Sequence, residues 1–392
     1  MSYRKFKADY LFDGFNMREV GDVLVCREDG RVESILSADQ AGGDLEKFSG
    51  MIVPGFINSH CHLELSHLKG LIPEKGGLVD FVLSVIRQRS QSEELKQESI
   101  RRAEDSMLKA GIVAVGDICN TLDTLEEKSF GRISYYNFIE LFGWDPQQSA
   151  TRYQAGKQLA ALFLEKGADN MHVSLTPHAP YSVSDQLWKL MEPDFNGKTI
   201  SIHNQESAAE NDFFISGSGG MAEMYAGMKI DSSHFQAPGI RSLPYYLNKF
   251  KAAANIMLVH NTYTNADEIN LAVNFSKYLF FCLCPNANQY IEGRLPDIPL
   301  FLRSKAKLVL GTDSLASNHQ LSILEEMKTI KEHYPFISTE EMLVWATSNG
   351  AKVLNFDKEL GDFQKGKKPG VVLIKNLPGG EIGPGSISLR II

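Results

Sequence analysis

The sequence is poor in the features that mark most specialised classes of protein. Its five cysteines, at 26, 61, 119, 282 and 284, are an odd number with no C-x-x-C pair. That argues against a disulfide framework and against a cysteine-rich zinc site, and reduced thiols in a cytoplasmic protein fit instead. Positive charge is also scarce: 40 Lys and Arg against 48 Asp and Glu give a formal net charge of -8. With no broad basic field to attract a phosphate backbone, nucleic acid is not expected as a partner. Apolar runs stay short, that at 278–284 being typical, and fall far below the roughly 18 residues of a membrane helix. The first dozen residues mix charge with aromatics and lack the apolar stretch of a signal peptide. A soluble, cytoplasmic protein with no membrane partner is expected.

Several catalytic signatures are missing as well. There is no H-E-x-x-H, no G-x-x-x-x-G-K-[ST] and no H-x-E followed by P-C-x-x-C. These absences exclude the common metalloprotease, phosphate-loop and compact nucleobase-deaminase sites. The glycines at 217–220 lack the dinucleotide spacing G-x-G-x-x-G.

What is present is a large, well-mixed chain of 392 residues, 43% of them hydrophobic. That length suits two or three domains, or one α/β barrel with an appendage. Short apolar or β-branched runs occur at 51–58, 112–118, 133–141, 171–177, 199–203, 256–260, 279–284 and 308–311. Helical patterns lie between them at 78–89, 155–165, 185–191, 265–273 and 321–332. Eight strands alternating with helices predict βαβ units and a parallel sheet, matching the (β/α)8 TIM barrel, although an open doubly wound sheet gives a similar alternation. The ends differ: strand-like pieces at 20–26, 32–36 and 371–374 are separated by turns such as Lys368-Pro369-Gly370. We read residues 1–50 and 361–392 as one small β domain built from both termini around a barrel over 51–360. The segment 207–243 is too long for an ordinary connection and is either a lid over the barrel mouth or ordered packing, with 217–220 as a hinge.

The sharpest local signal is Pro54-Gly55-Phe56-Ile57-Asn58-Ser59-His60-Cys61-His62, a strand ending in His-x-His. A spacing of two puts both imidazoles on one face of an extended chain. Alone, the pair is more simply two polar residues at a strand end. Its company changes that: His203 ends the fifth run, His260 ends the sixth, and Asp313 follows the eighth. Five metal-competent side chains at the C-terminal ends of barrel strands stand where catalytic groups of this architecture collect. An ion held by His60, His62, His203 and Asp313 leaves a position for water, whose pKa it would lower to about 7. Glu206, three residues beyond His203, can reach that water as a proton carrier, although a solvated loop glutamate is the commoner case. His260 is either another ligand or a group that polarises the water. His178, after the fourth run, is a candidate substrate contact. His172, His234, His319 and His333 read as surface or second-layer residues, and His67 lies beyond the site-bearing turn.

With these residues placed, the chain resembles the amidohydrolase superfamily over nearly its whole length. The matching pieces, in order, are PGFINSHCH, the HxxE of His203 to Glu206, VHNTY around His260, CPNAN, GTDSLASN, ATSNGAKVLNF and GDFQKGKKPGVVLI. The resemblance implies a distorted (β/α)8 barrel with a small β-sandwich formed from both termini. It further implies one divalent metal ion, zinc or alternatively iron, on His60, His62, His203 and Asp313, with Glu206 and His260 shuttling protons and Asp313 joining them in catalysis. The fourth run, MHVSLTP, lacks the lysine that bridges two metals in the binuclear branches.

HxxE, VHNT and TDSLASN together look most like the branch that deaminates cytosine, guanine, S-adenosylhomocysteine, methylthioadenosine and aminofutalosine. HCHLELSHLKG leans toward the aminofutalosine and adenosine-type members, with Glu64 near a ribose hydroxyl. PGVVLI departs from the family's acidic residue at that point, in the small β domain and away from the chemistry.

The expected partner is a small aminated heterocycle or nucleoside; such barrels often form homodimers, but no residue marks an interface. A chlorohydrolase or cyclic amidase of the same superfamily would use the same ligands with another leaving group. A silent barrel used as a binding protein would lack several ligands, and none is missing.

Overall fold

The computed structural model describes residues 2–392. Eight strands form two four-stranded parallel sheets. The first joins Phe56–Cys61, Ile112–Cys119, Ser134–Leu141 and Met171–Pro177, and the second joins Thr199–Asn204, Asn255–His260, Leu279–Leu283 and Leu308–Leu310. Most are buried along their whole length. This is why they read as continuous apolar runs rather than alternating ones: a parallel sheet is covered by helices on both faces.

The two sheets meet at both of their outer edges. At one, His203 N donates to His178 O at 2.9 Å and Ser201 N to Thr176 Oγ1 at 3.0 Å. At the other, Thr312 N and Asp313 N donate to His60 O at 3.0 and 3.1 Å, beside a parallel bridge between Cys61 and Asp313.

The strand expected over 51–58 is two strands. Met51–Pro54 pairs antiparallel with Val371–Lys375 in a terminal sheet, and only Phe56–Cys61 enters the parallel one. The break is at Gly55, where a Cβ would lie 2.4 Å from Val113 Cγ1 and 2.5 Å from Pro369 O. Apolar patterning runs through the break because both strands are buried.

The termini supply two further four-stranded sheets, Val32–Leu36, Val23–Arg27, Tyr3–Lys7 and Glu46–Lys47, and Ile387–Arg390, Val371–Lys375, Met51–Pro54 and Tyr10–Leu11. Phe6, Leu24 and Cys26 from one sheet and Leu11, Ile52 and Leu373 from the other share one apolar cluster.

Four expected helices appear as Leu78–Gln88, Asp185–Met191, Ala266–Phe275 and Ile323–His333, and the fifth lies within Ser149–Lys166. Asn265 and Glu268 form a reciprocal capping box at the start of the third. The helix Glu93–Lys109 was not foreseen; it starts at a Ser92 cap. All five cysteines are free and buried. Among the described residues, no helix is long and apolar enough to cross a membrane.

Candidate active site

The His-x-His pair sits at the end of Phe56–Cys61, and alternation along the strand turns both rings the same way. His60 Nε2 and His62 Nε2 are 3.2 Å apart, and His62 Nε2 is 3.2 Å from His203 Nε2. Asp313 Oδ1 lies 3.4 Å from His62 Nε2 and 3.6 Å from His60 Nε2. Asp313 comes this close because Gly311 packs against the first strand: a Cβ there would be 2.8 Å from that of His60. The residues at these strand ends bend sharply, with φ of 46° at Gln205, 72° at His260, 60° at Asn261 and 57° at Asp313. A left-handed backbone costs a non-glycine residue about 1–3 kcal/mol and persists where surrounding bonds over-determine it. Here Asn261 Nδ2 donates to Leu258 O at 2.8 Å, and Asp313 N is held on His60 O at 3.1 Å.

These spacings suit a metal ion. Around a tetrahedral zinc with bonds of about 2.0–2.1 Å the edges between donor atoms are about 3.3 Å, against the 3.2 to 3.6 Å found here. His60, His203 and Asp313 are in the state a metal needs. Burial pushes His60 and His203 down, His203 well below the usual imidazole range, so both are neutral near pH 7. Burial pushes Asp313 up, but His60 beside it and the other neighbouring imidazoles outweigh this and hold the carboxyl well below its usual range. The tautomer of His203 is fixed by the fold: Nδ1 faces the His178 carbonyl at 2.7 Å and carries the hydrogen, which leaves the Nε2 lone pair for the cluster.

Two further groups flank the cluster. Glu206 Oε1 is 3.6 Å from His260 Nε2, and both side chains are buried. Burial, followed by the charges of Asp313, Glu292 and Glu210, raises the Glu206 carboxyl well above its usual range. Burial takes His260 down to about 3. The far nitrogen of His260 meets the Asn288 amide at 3.3 Å, and that amide also donates to Thr262 Oγ1 at 2.8 Å.

His62, His203, Glu206, His260 and Asp313 line one end of a cavity of about 350 Å³, with His60 fully buried beside them. One wall is apolar, formed by Leu78, Phe81, Val82 and Val85 from the helix Leu78–Gln88 and by Met224, Tyr225, Met228 and Ile230. The latter belong to the 207–243 segment, which folds into the helices Ala208–Ser216 and Gly220–Gly227 with the 217–220 glycines at the corner between them. Trp144 holds it down: its ring stacks on Tyr225 with centroids 5.2 Å apart, and its Nε1 donates to Ser232 Oγ at 3.1 Å.

The profile of the amidohydrolase family matches residues 51–385. The chain belongs to the amidohydrolase family. It is 26% identical to an adenosine deaminase of Helicobacter pylori over 82% of this chain and 78% of that one. It is 25% identical to an aminodeoxyfutalosine deaminase of Nitratiruptor sp. over 88% and 83%. The crystal structure of Helicobacter pylori aminofutalosine deaminase in complex with methylthio-coformycin superposes with a TM-score of 0.82 at 21% identity, covering 96% of this chain and 93% of that one.

This amidohydrolase brings His60, His62, His203, Asp313, Glu206 and His260 together, and His178 joins them at the cavity wall with its Nδ1 on Ser182 Oγ at 2.7 Å. Glu64 is not brought in. Its Oε2 accepts from Asn120 N, Thr121 N and Thr121 Oγ1 at 3.0 to 3.2 Å, so the carboxylate anchors the loop after the second strand and lies outside the cavity lining. His172 packs between Tyr136 and Phe356, His67 Nε2 donates to Arg89 O, and His319 faces Glu74, all away from the cluster.

Sequence reasoning missed Glu140. It stands next to last in Ser134–Leu141, is buried, and lines the cavity. The position alone could have found it, since the same rule that selected His203 and His260 points to polar residues at the C-terminal ends of barrel strands.

Proposed function

We propose that this chain is a mononuclear aminohydrolase that replaces the amine on a carbon of a purine-like ring by oxygen, with a nucleoside as substrate. The balance is R–NH2 + H2O → R–OH + NH3. The observation that carries this reading is the meeting of three imidazoles, an ionised carboxylate and the Glu206–His260 pair at one end of the cavity. Nitrogen and carboxylate donors in this number favour zinc, with iron as the alternative. The chemistry such an ion supplies is activation of water at neutral pH.

The chain's own groups do the rest. The Glu206 carboxyl, kept proton-loving by burial, takes the proton from water and hands it to the ring nitrogen next to the attacked carbon. His260 turns Nε2 toward Glu206 and steadies the charge that develops between them. Asp313 stays ionised, and its Oδ2 is held by the Ser317 hydroxyl. The apolar wall from Leu78 to Ile230 suits a flat ring and keeps bulk water from the reacting end. The nucleoside deaminases among the relatives support the substrate class.

For the scaffold, we read the two parallel sheets as halves of one distorted (β/α)8 barrel with the site at its mouth. The terminal sheets then form a β-sandwich, with Met51–Pro54 counted to it rather than to the barrel. The contacts at both sheet edges and the shared apolar cluster support this.

Glu206→Gln is the direct test. The variant keeps about one metal per chain by elemental analysis and loses ammonia release from adenosine-type nucleosides by about 10²-fold or more, the size of a general acid–base contribution. Normal turnover in it would remove the proton-carrier role, and ammonia-free wild-type protein across aminated bases and nucleosides would remove the reaction.

A further inference from the structure

One carboxylate on the cavity wall leaves half of its accepting capacity unused. The Glu140 side chain is 4% exposed. Its Oε2 accepts from Asn120 Nδ2 at 3.0 Å, but its buried Oε1 has no hydrogen-bond partner. Oε1 does approach His203 Nδ1 at 3.6 Å, yet that N–H is already committed to the His178 carbonyl at 2.7 Å. Among the described residues no lysine or arginine pairs with Glu140: Arg89 turns to Glu64 at 3.8 Å and Arg152 to Gln148 at 3.4 Å. A buried carboxylate oxygen without a donor is unfavourable. A wall built this way is completed by a donor that arrives with the ligand.

The support behind Glu140 is rigid. Glu64 fixes the backbone of Asn120 and Thr121, and the Asn120 amide in turn orients Glu140. Both Asn120 and Glu140 line the cavity. The place of the open oxygen indicates what it meets. His203 Nδ1 is the ring nitrogen turned away from His62, so Glu140 stands across the His203 imidazole from the rest of the cluster. With the amine-bearing carbon over the cluster, the neighbour of Glu140 is the substituent on the opposite side of the heterocycle. In a nucleoside that substituent is the sugar, whose hydroxyls are O–H donors to a carboxylate.

We propose that Glu140 selects ribosylated substrates, its Oε1 accepting the hydrogen of a sugar hydroxyl. This rests on the aminohydrolase reading above. Glu140 then binds substrate, and Glu64 and Asn120 are positioning residues.

The test compares ammonia release from adenosine, 2′-deoxyadenosine, 3′-deoxyadenosine and adenine by metal-loaded wild-type protein and Glu140→Gln. In the variant the amide oxygen must face Asn120 Nδ2, which turns an NH2 group into the cavity where an acceptor stood. Adenosine should lose roughly 10- to 100-fold in kcat/KM, mainly through KM, as for a lost hydrogen bond to a charged group. At least one deoxy analogue should show the same loss on wild-type protein and lose nothing further on the variant, with metal content unchanged. Wild-type protein that turns over adenosine and both deoxy analogues with equal efficiency overturns the proposal without need of the variant. So does a variant that loses equally on all compounds together with its metal, which would make Glu140 a support of His203. Wild-type protein that releases ammonia from none of the four refutes the aminohydrolase reading itself.

Discussion

Replacing Lys128 by methionine tests how the turn bearing His62 is held. The Lys128 ammonium is fully buried. It donates to a carboxylate oxygen of Asp117, to Asn137 Oδ1 at 2.8 Å and to Cys119 Sγ at 3.2 Å. The other Asp117 oxygen accepts from Leu63 N at 2.8 Å, directly after His62 in the chain. Burial works against the ammonium, but Asp117 outweighs it and holds its pKa above the usual lysine value. Methionine fills the volume of the stem and removes the charge, leaving Asp117 buried without a counter-charge. Breaking a buried pair in this way costs about 3–5 kcal/mol, more than most single substitutions. Urea denaturation of metal-free protein reads the loss. Adding Asp117→Leu to Lys128→Met should recover most of it, because a whole buried pair is nearly neutral against apolar packing. A residue of about 1–3 kcal/mol should remain for the Leu63 N–H that has lost its acceptor. A Lys128→Met cost below about 1 kcal/mol, the worth of an exposed pair, would refute the reasoning, as would a double variant less stable than either single one.

Acid should destabilise the metal-free protein through the buried histidines. His260 is held at about 3 and His60, His178 and His203 are also lowered by burial, so below about pH 6.5 the unfolded chain binds protons that the folded one refuses. Stability is therefore full above that pH and falls as pH drops toward 4, by about 1.4 kcal/mol per unit for each such group; a His260→Asn variant with an unchanged slope would contradict it. Trp144→Ala removes the stack on Tyr225 and the bond to Ser232. It should speed limited proteolysis within 208–235 and raise KM more than it lowers kcat, and an unchanged cleavage rate would transfer the hold on this segment to the Phe213–Phe235 stack.

The candidate ligands were legible because they obey one positional rule: polar residues at the ends of apolar runs. His60, His203, His260 and Asp313 stand out against continuous apolar sequence. Glu140 obeys the same rule but was passed over, since a lone glutamate carries no metal-ligand pattern. Glu64 could be named but not aimed: nothing in HCHLELSHLKG says that its carboxylate turns to the backbone of Asn120 and Thr121. The pairing of Lys128 with Asp117 was invisible for a related reason. Periodicity marks apolar faces, and a lysine inside one looks like a solvated residue until the fold closes over it. The run 51–58 misled because Gly55 separates two buried strands whose side chains are equally apolar.

His203 belongs to one edge where the parallel sheets touch, and His60 and Asp313 to the other. An ion gripping all three clasps the early and late halves of the chain at two joints at once. Its affinity then adds to the cohesion of the whole molecule, by an amount that grows with the logarithm of free metal over its dissociation constant. A chelator would slacken the scaffold as well as silence the chemistry, and metal supply would govern how long the chain survives as well as how fast it works.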